Sequence, residues 1–294
     1  MGTQIKNPGV WIMRDQQKST DLAVMLSVKD KPDDAFNIRL QPWHGLVLLA
    51  ICLATASTGF AQASVEKISI LDTLLGWMPL MLKGFAFNIV ISIFAMSIGT
   101  VVGTALGLGQ ISLNPILSKP CWLITQFFRN APWLVLLFFA MFLLPFEFEI
   151  GGFTIPFPDW IKATIGLSLP VMANVSEIVR GAIGSIPTGQ WEAAESLAYS
   201  RRQTLWLVIL PQCIKRMLPP WMNLYSILTM ATVLASVVGV SEVMTITGQV
   251  LAAEGGRPEL LAPFYSFVLL IFFVYCYPIA RWTVSLEKKF AVKT

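Results

Sequence analysis

Apolar residues run almost unbroken through 44–62, 71–109, 131–145, 161–186, 221–239 and 260–284, with polar, Gly- and Pro-containing connectors between them. An α-helix needs roughly 20 such residues to cross a hydrocarbon core. The run Ala131–Pro145 reaches that length as a helix continuing from the residues just before it. In 71–109 the helical core is expected from Met78 to Leu108. The pattern predicts an all-α integral membrane protein with six spans, or five if the first is removed. Residues 1–43 are polar, with Lys and Asp interleaved, and show no sustained period. They read as a mostly disordered cytosolic tail with room for a short helix over 20–28.

The connectors carry their own signals. Residues 44–62 end in Ala61-Gln62-Ala63, similar to a signal-peptidase site, but 43 residues that are not especially basic precede them. A retained extra helix is the expectation and cleavage the alternative. Ile111–Arg129 reads as an interfacial turn plus a short helix, and Phe146–Trp160 as an external loop or small hairpin with Trp160 at headgroup level. Ser241–Glu259 reads as an external loop rich in Gly, Thr and Glu. Between two spans lies the longest soluble-looking piece, Ile186–Pro211. Its charged and small apolar residues suggest a short amphipathic helix along the membrane, entered at Pro187-Thr188-Gly189 and left at Leu210-Pro211.

Several positions invite a specific role. Gly99, Gly103 and Gly107 fall four apart on one helix face, a small-xxx-small pattern that favours close helix packing. Pro170 predicts a kink in the fourth run. Asn174, Ser176, Glu177 and Arg180 gather towards its inner end. Glu177 and Arg180, three apart, can pair on one face. An ionisable residue at membrane depth marks a functional site, and an interfacial ion pair explains the pair equally well. Asn223, Ser226, Thr229, Thr232 and Ser236 recur at steps of three and four, a polar stripe facing protein or water. Helix packing accounts for that stripe nearly as well as a solute path.

Composition agrees with the pattern: 55% of residues are hydrophobic and 13% charged, against roughly 25% charged in soluble domains. Mean hydropathy is +0.67. Cys52, Cys121, Cys213 and Cys276 are scattered singly and read as apolar filler, and the lone His44 as an interfacial residue. No catalytic dyad, phosphate loop or metal cluster is visible, which argues against an enzyme. The net charge of +4 matters through its placement. Putting the tail, 110–130, 186–218 and the C-terminus on one side, with Arg180 at the inner end of the fourth run, gathers 17 of the 21 Lys and Arg there. The other side holds Lys67, Lys83, Lys162 and Arg257 among more numerous acids. The asymmetry predicts that 186–211 and the C-terminus are cytosolic.

With that side assigned, the motifs become legible. Glu192-Ala193-Ala194, Ala198 and Val208-Ile209-Leu210-Pro211 resemble the EAA loop of bacterial ABC-importer permeases, EAA-x3-G-x9-I-x-LP. Ser185-Ile186-Pro187-Thr188-Gly189-Gln190 resembles the SIPxGQ lead-in of the polar amino acid permeases. Leu210-Pro211-Gln212 with Leu218-Pro219-Pro220 and Asn223 is similar to their LPQ…LPPxxN. Ser176-Glu177-Ile178-Val179-Arg180-Gly181 resembles AExxRG, and Arg129-Asn130-Ala131-Pro132 resembles RGTP. The resemblance covers roughly residues 72–290.

It implies a five-helix, methionine-importer-like permease core, with the 44–62 helix added. It implies an inner-membrane subunit that works with two ATP-binding subunits, a second permease subunit and a periplasmic substrate-binding protein. No cofactor is implied in this chain, ATP and Mg belonging to the ATPase, and no nucleic acid. Gly189, Gln190, Glu192, Ala193, Ala194, Ala198, Leu210 and Pro211 would form the ATPase-coupling element. Asn174, Glu177, Asn223, Ser226, Thr229, Met230, Thr232 and Ser236 would be candidates for the translocation path. Two departures stand out. Ala198 replaces the family's Gly, at about 1 kcal/mol if the backbone there is left-handed. The usual Lys-Asp-Thr-Ser becomes Met230-Ala231-Thr232-Val233, which implies a heteromeric partner bearing the missing charges. The alternatives are a permease for methionine, phosphonate, an osmolyte or an opine, or a membrane anchor. A secondary transporter would need more spans and internal repeats.

Overall fold

The computed structural model describes residues 70–150 and 153–290. The expectations for the 1–43 tail and the 44–62 span lie outside these residues. The elements are α1 (Ile70–Gln110), α2 (Pro115–Asn130), α3 (Trp133–Leu143), β1 (Glu147–Ile150), β2 (Phe153–Pro156), α4 (Asp159–Gly184), α5 (Thr188–Ser196), α6 (Arg201–Val238), α7 (Val243–Ala253) and α8 (Pro258–Phe290).

Among the described residues, α1, α6 and α8 are long and apolar enough to cross a membrane. At 1.5 Å per residue, the 41 residues of α1 reach about 60 Å, twice a hydrocarbon core of about 30 Å. The helix therefore starts well before Met78. The pair α2 and α3 would count as a fourth span, but it is bent by 108°. This corrects the expectation of one helix running through Ala131. Ala131 precedes Pro132 and is extended (φ −80°, ψ 139°), because the proline ring disfavours helical backbone in the residue before it. The loop 146–157 is a hairpin, pairing Glu147 with Pro156 and Phe148 with Ile155 antiparallel.

The fifth membrane-length helix, α4, has 26 residues and fails a purely apolar test because protein surrounds it. Its Val171, Val175 and Val179 are fully buried. Against them lie Gly99, Gly103 and Gly107 of α1. A Cβ on Gly103 would meet Met172 O and stand 2.7 Å from Val175 Cβ, and one on Gly107 would stand 2.7 Å from Val179 Cβ. Gly166 on another face of α4 lets α3 approach, with Leu137 Cα 3.2 Å from a Cβ position. The helix continues through Pro170 without interruption. Near its N-terminus Lys162 is wholly buried, bonded to Asp159 (3.2 Å) and lying 3.4 Å from the centre of the Phe146 ring. The charge is held by a carboxylate and an aromatic face, which compensates its removal from water.

A second cluster packs the N-terminal half of α1 against α7 and α8 through Met81, Phe85, Val243, Leu260 and Phe264. Here the expected external loop 241–259 is corrected: Val243–Ala253 is a helix. Glu242 is its N-cap, accepting from Thr245 N–H at 3.0 Å, and satisfies a donor that the first turn leaves open. The same carboxylate accepts from Asn88 Nδ2 (2.9 Å), which also donates to Thr232 Oγ1 (2.9 Å). Val243 N–H donates to Asn88 Oδ1 (3.1 Å). All three side chains are fully buried. Beyond α7, Glu254 accepts from Trp77 Nε1 (2.8 Å) and Arg257 (2.6 Å). The indole bond and the guanidinium hold its carboxyl below the usual range.

Gly103→Val is expected to destabilise the bundle by about 1–3 kcal/mol through overpacking, lowering the melting temperature of the detergent-purified chain. Gly76→Ala in the same helix, where nothing lies within 4 Å, should leave it unchanged or slightly raised. Equal effects from the two changes would show that the α1–α4 contact is not the limiting one.

Candidate functional site: the segment 186–216 and the cavity behind it

Ile186 is buried and Pro187, extended, leads into α5. Gly189 and Gln190 occupy its exposed first turn, and Glu192 and Ala193 point into solvent. Ala194 is 4% exposed and seats the helix. Across the segment, Gln212 Nε2 donates to Gln190 Oε1 at 3.2 Å and to Val208 O at 2.8 Å. Arg201 lies over the Trp191 ring at 5.8 Å, a modest cation–π contact. These contacts bind α5 to the first turns of α6.

The end of α5 explains Ala198. Its φ is +59°, the left-handed region. Ala198 N–H donates to Glu195 O (2.8 Å) and Tyr199 N–H to Ala194 O (3.1 Å). This is the paired pattern of a Schellman C-cap, whose C′ residue is left-handed and usually glycine. Two residues later Ser200 opens α6 with a capping box: Gln203 N–H donates to Ser200 Oγ, and Ser200 N–H to Gln203 Oε1 at 2.9 Å. The Ser-x-x-Gln spacing is the one mark of this helix start in the sequence, and hydropathy does not register it.

Leu210-Pro211 is not an exit from the segment, which corrects the expectation. The helix runs continuously from Arg201 to Val238. Thr204–Ile209 is a π-turn, with Leu210 N–H bonded to Leu205 O, and Pro211 follows. Proline has no N–H and crowds the carbonyl four residues back, and a widened turn just ahead of it accommodates both. The helix that carries the penultimate apolar run therefore begins about twenty residues before Trp221, and α5 leans directly on its first turns.

Behind the segment, α2, α4 and α6 border an open-sided cavity of about 570 Å³ lined by Arg129, Asn174, Glu177, Ser185, Arg216 and Asn223, with apolar walls including Ile178 and Leu224. Glu177 is the busiest group. Arg180 holds both its oxygens (Nε 3.2 Å, NH2 2.6 Å), and Arg129 adds a bond at 3.3 Å. Gln110 Nε2 donates to Glu177 Oε1 (3.3 Å), Ser176 Oγ (2.7 Å) and Thr125 Oγ1 (3.1 Å). One node thus joins the ends of α1, α2 and α4. Arg216 donates to Ser185 O (2.6 Å) and Oγ (3.0 Å), linking α6 to the residue before the 186–211 segment.

The path candidates divide. Asn174, Glu177 and Asn223 meet in this cavity. Ser226, Thr229 and Thr232 are buried on another face of α6, their hydroxyls bonded to carbonyls of their own helix. Met230 is 49% exposed and Ser236 half-buried, bonded to Val233 O. In the sequence Arg129 opens the stretch that resembles RGTP, and Arg216 counts only among the positive charges of 186–218. Their shared cavity is a product of tertiary packing.

The chain matches the family described as binding-protein-dependent transport system inner membrane component over residues 99–291. It is 38% identical over 213 residues to the "Probable amino-acid ABC transporter permease protein YckA" of Bacillus subtilis (strain 168), covering 72% of this chain and 90% of that one. Its fold is similar to that in the crystal structure of an amino acid ABC transporter with histidines. The TM-score is 0.65 at 21% identity, with 76% of this chain and all of that one covered. It also resembles the inward-facing MetNI methionine ABC transporter, with a TM-score of 0.55 at 16% identity, 72% of this chain and 98% of that one.

Replacing Ala198 by Gly should stabilise the α5 terminus by about 1 kcal/mol, the strain of a left-handed alanine. Hydrogen exchange at the amides of 194–200 should slow accordingly. Faster exchange in the glycine variant would count against strain at this turn.

Proposed function

The chain belongs to the binding-protein-dependent transport system inner membrane component family and is the permease of an ABC importer; we propose that it moves polar amino acids from periplasm to cytosol. In this reading its partners are two ATP-binding subunits, a second permease subunit that supplies the charges absent at Met230 and Ala231, and a periplasmic binding protein. ATP hydrolysis belongs to the ATPase, and residues 186–211 with the C-terminus face the cytosol, where most Lys and Arg gather. The amino-acid assignment is supported by the name of the Bacillus relative and by the SIPxGQ-like and LPPxxN-like stretches.

The observation that carries the coupling role is the construction of α5. A nine-residue helix exposes Glu192 and Ala193, and neither carries a side-chain bond to the rest of the chain among the described residues. It is clamped to the start of α6 by Gln190–Gln212 and Trp191–Arg201. A push on the exposed face reaches a membrane helix of 38 residues without crossing a flexible joint. A partner surface with a basic group opposite Glu192 suits this face, as in other helix-in-groove contacts. ATP-driven closure of the partner then favours one arrangement of α6, and by linkage a loaded binding protein outside favours the same one.

Glu192→Lys should leave the chain inserted and assembled with basal ATP hydrolysis, while amino-acid uptake in proteoliposomes falls about tenfold or more. Uptake at the unmodified rate would remove α5 from the coupling role.

A further inference from the structure

The cavity between α4 and α6 has a lining whose charge balance selects its occupant. Two guanidiniums, Arg129 and Arg216, border it against a single carboxylate, Glu177. That carboxylate is already spent: Arg180, outside the lining, holds both its oxygens, at 3.2 and 2.6 Å. Arg216 commits one nitrogen to Ser185, and Arg129 makes one bond at 3.3 Å while its side chain stays 46% exposed. Each guanidinium has five N–H donors, so both keep donors to spare. Asn174 uses its amide N–H on Pro170 O (2.8 Å), which leaves its carbonyl oxygen to accept, and Asn223 brings a second carboxamide from the facing helix. The volume, about 570 Å³, falls within the range of small-molecule sites.

We propose that this cavity is a binding site for the carboxylate of an amino acid of neutral or negative net charge, with Arg129 and Arg216 as the carboxylate-binding pair, and that it excludes cationic amino acids. The proposal rests on the amino-acid reading above. One guanidinium offers a planar carboxylate two parallel N–H bonds, and a second arginine in the same lining adds positive charge and further donors. The carboxamide oxygens of Asn174 and Asn223 serve an α-ammonium group. A lysine or arginine side chain would bring a further cation to a lining that already carries an excess of positive charge.

The test uses the full-length chain in its assembled transporter, reconstituted in lipid, and measures equilibrium retention of radiolabelled L-glutamate, L-glutamine and L-arginine with the binding protein omitted. Glutamate and glutamine should bind and arginine should not. Arg216→Gln should weaken glutamate by about tenfold or more, the loss of a hydrogen bond to a charged group, and Arg216→Lys by less. Arg129→Glu should move the glutamate-to-arginine affinity ratio towards arginine by at least that factor. A ratio is independent of the fraction of protein folded, so a damaged variant still reports. If amino acids bind but the ratio is unmoved, or arginine binds best in the unmodified protein, this proposal is overturned and the transport reading stands. If the complex takes up no amino acid at all, both fall.

Discussion

Between α1 and α4 there is no room for one methyl group at Gly99, Gly103 or Gly107. Within lipid, apolar helices gain nothing by hiding from their surroundings, since the acyl chains are equally apolar. Association there depends on the number of atoms brought to contact distance. Three glycines set against Val171, Val175 and Val179 let two backbones approach until a valine ridge fills a groove. Stiff β-branched side chains suit this use, because they lose little rotamer freedom when packed. The consequence spreads outward. With α4 locked to α1 on one face, α3 reaches it across Gly166 and α6 packs on the side that leaves the cavity open.

Polar contacts then choose among the packings that close contact allows. Asn88, Thr232 and Glu242 join three elements in a buried knot, and Glu242 also caps α7. Gln110, Thr125, Ser176 and Glu177 do the same at the opposite ends of α1, α2 and α4. Groups of this kind are costly to bury without partners. Each knot therefore penalises any helix register that separates its members. The hydroxyls of Ser226 and Thr229 contribute differently: by bonding within α6 they remove their own polarity and ask nothing of a neighbour.

The segment 186–216 is stiff where a loop would be compliant. A Schellman turn at Ala198 and a capping box at Ser200 join two helices through four residues, and the π-turn before Pro211 carries the second into the bundle. Arg216 bonds to Ser185 near the mouth of the cavity. Hydrogen bonds and cation–π contact thus run from α5 through the first turns of α6 to Ser185 at the cavity lining.

The order of the described apolar helices and the polar break at 186–200 follow from local composition, because hydropathy needs no knowledge of neighbours. The failures have the same root. Ser241–Glu259 looked like a loop until Asn88, 154 positions from Glu242, supplied a partner for its helix cap. The course of α2 into α3 was misjudged because apolar content hides what Pro132 does to Ala131. Leu210-Pro211 looked like an ending because a π-turn leaves no mark in hydropathy. The four-residue spacing of Gly99, Gly103 and Gly107 is visible in the chain, whereas the ridge that fills it is not. By itself the sequence determined which segments suit a membrane, since that depends on residues within a few turns. Tertiary structure alone decided that Arg129, Glu177 and Arg216 share one cavity and that Ser226 and Thr229 do not, because side-chain direction is set by helices that meet across long stretches of chain.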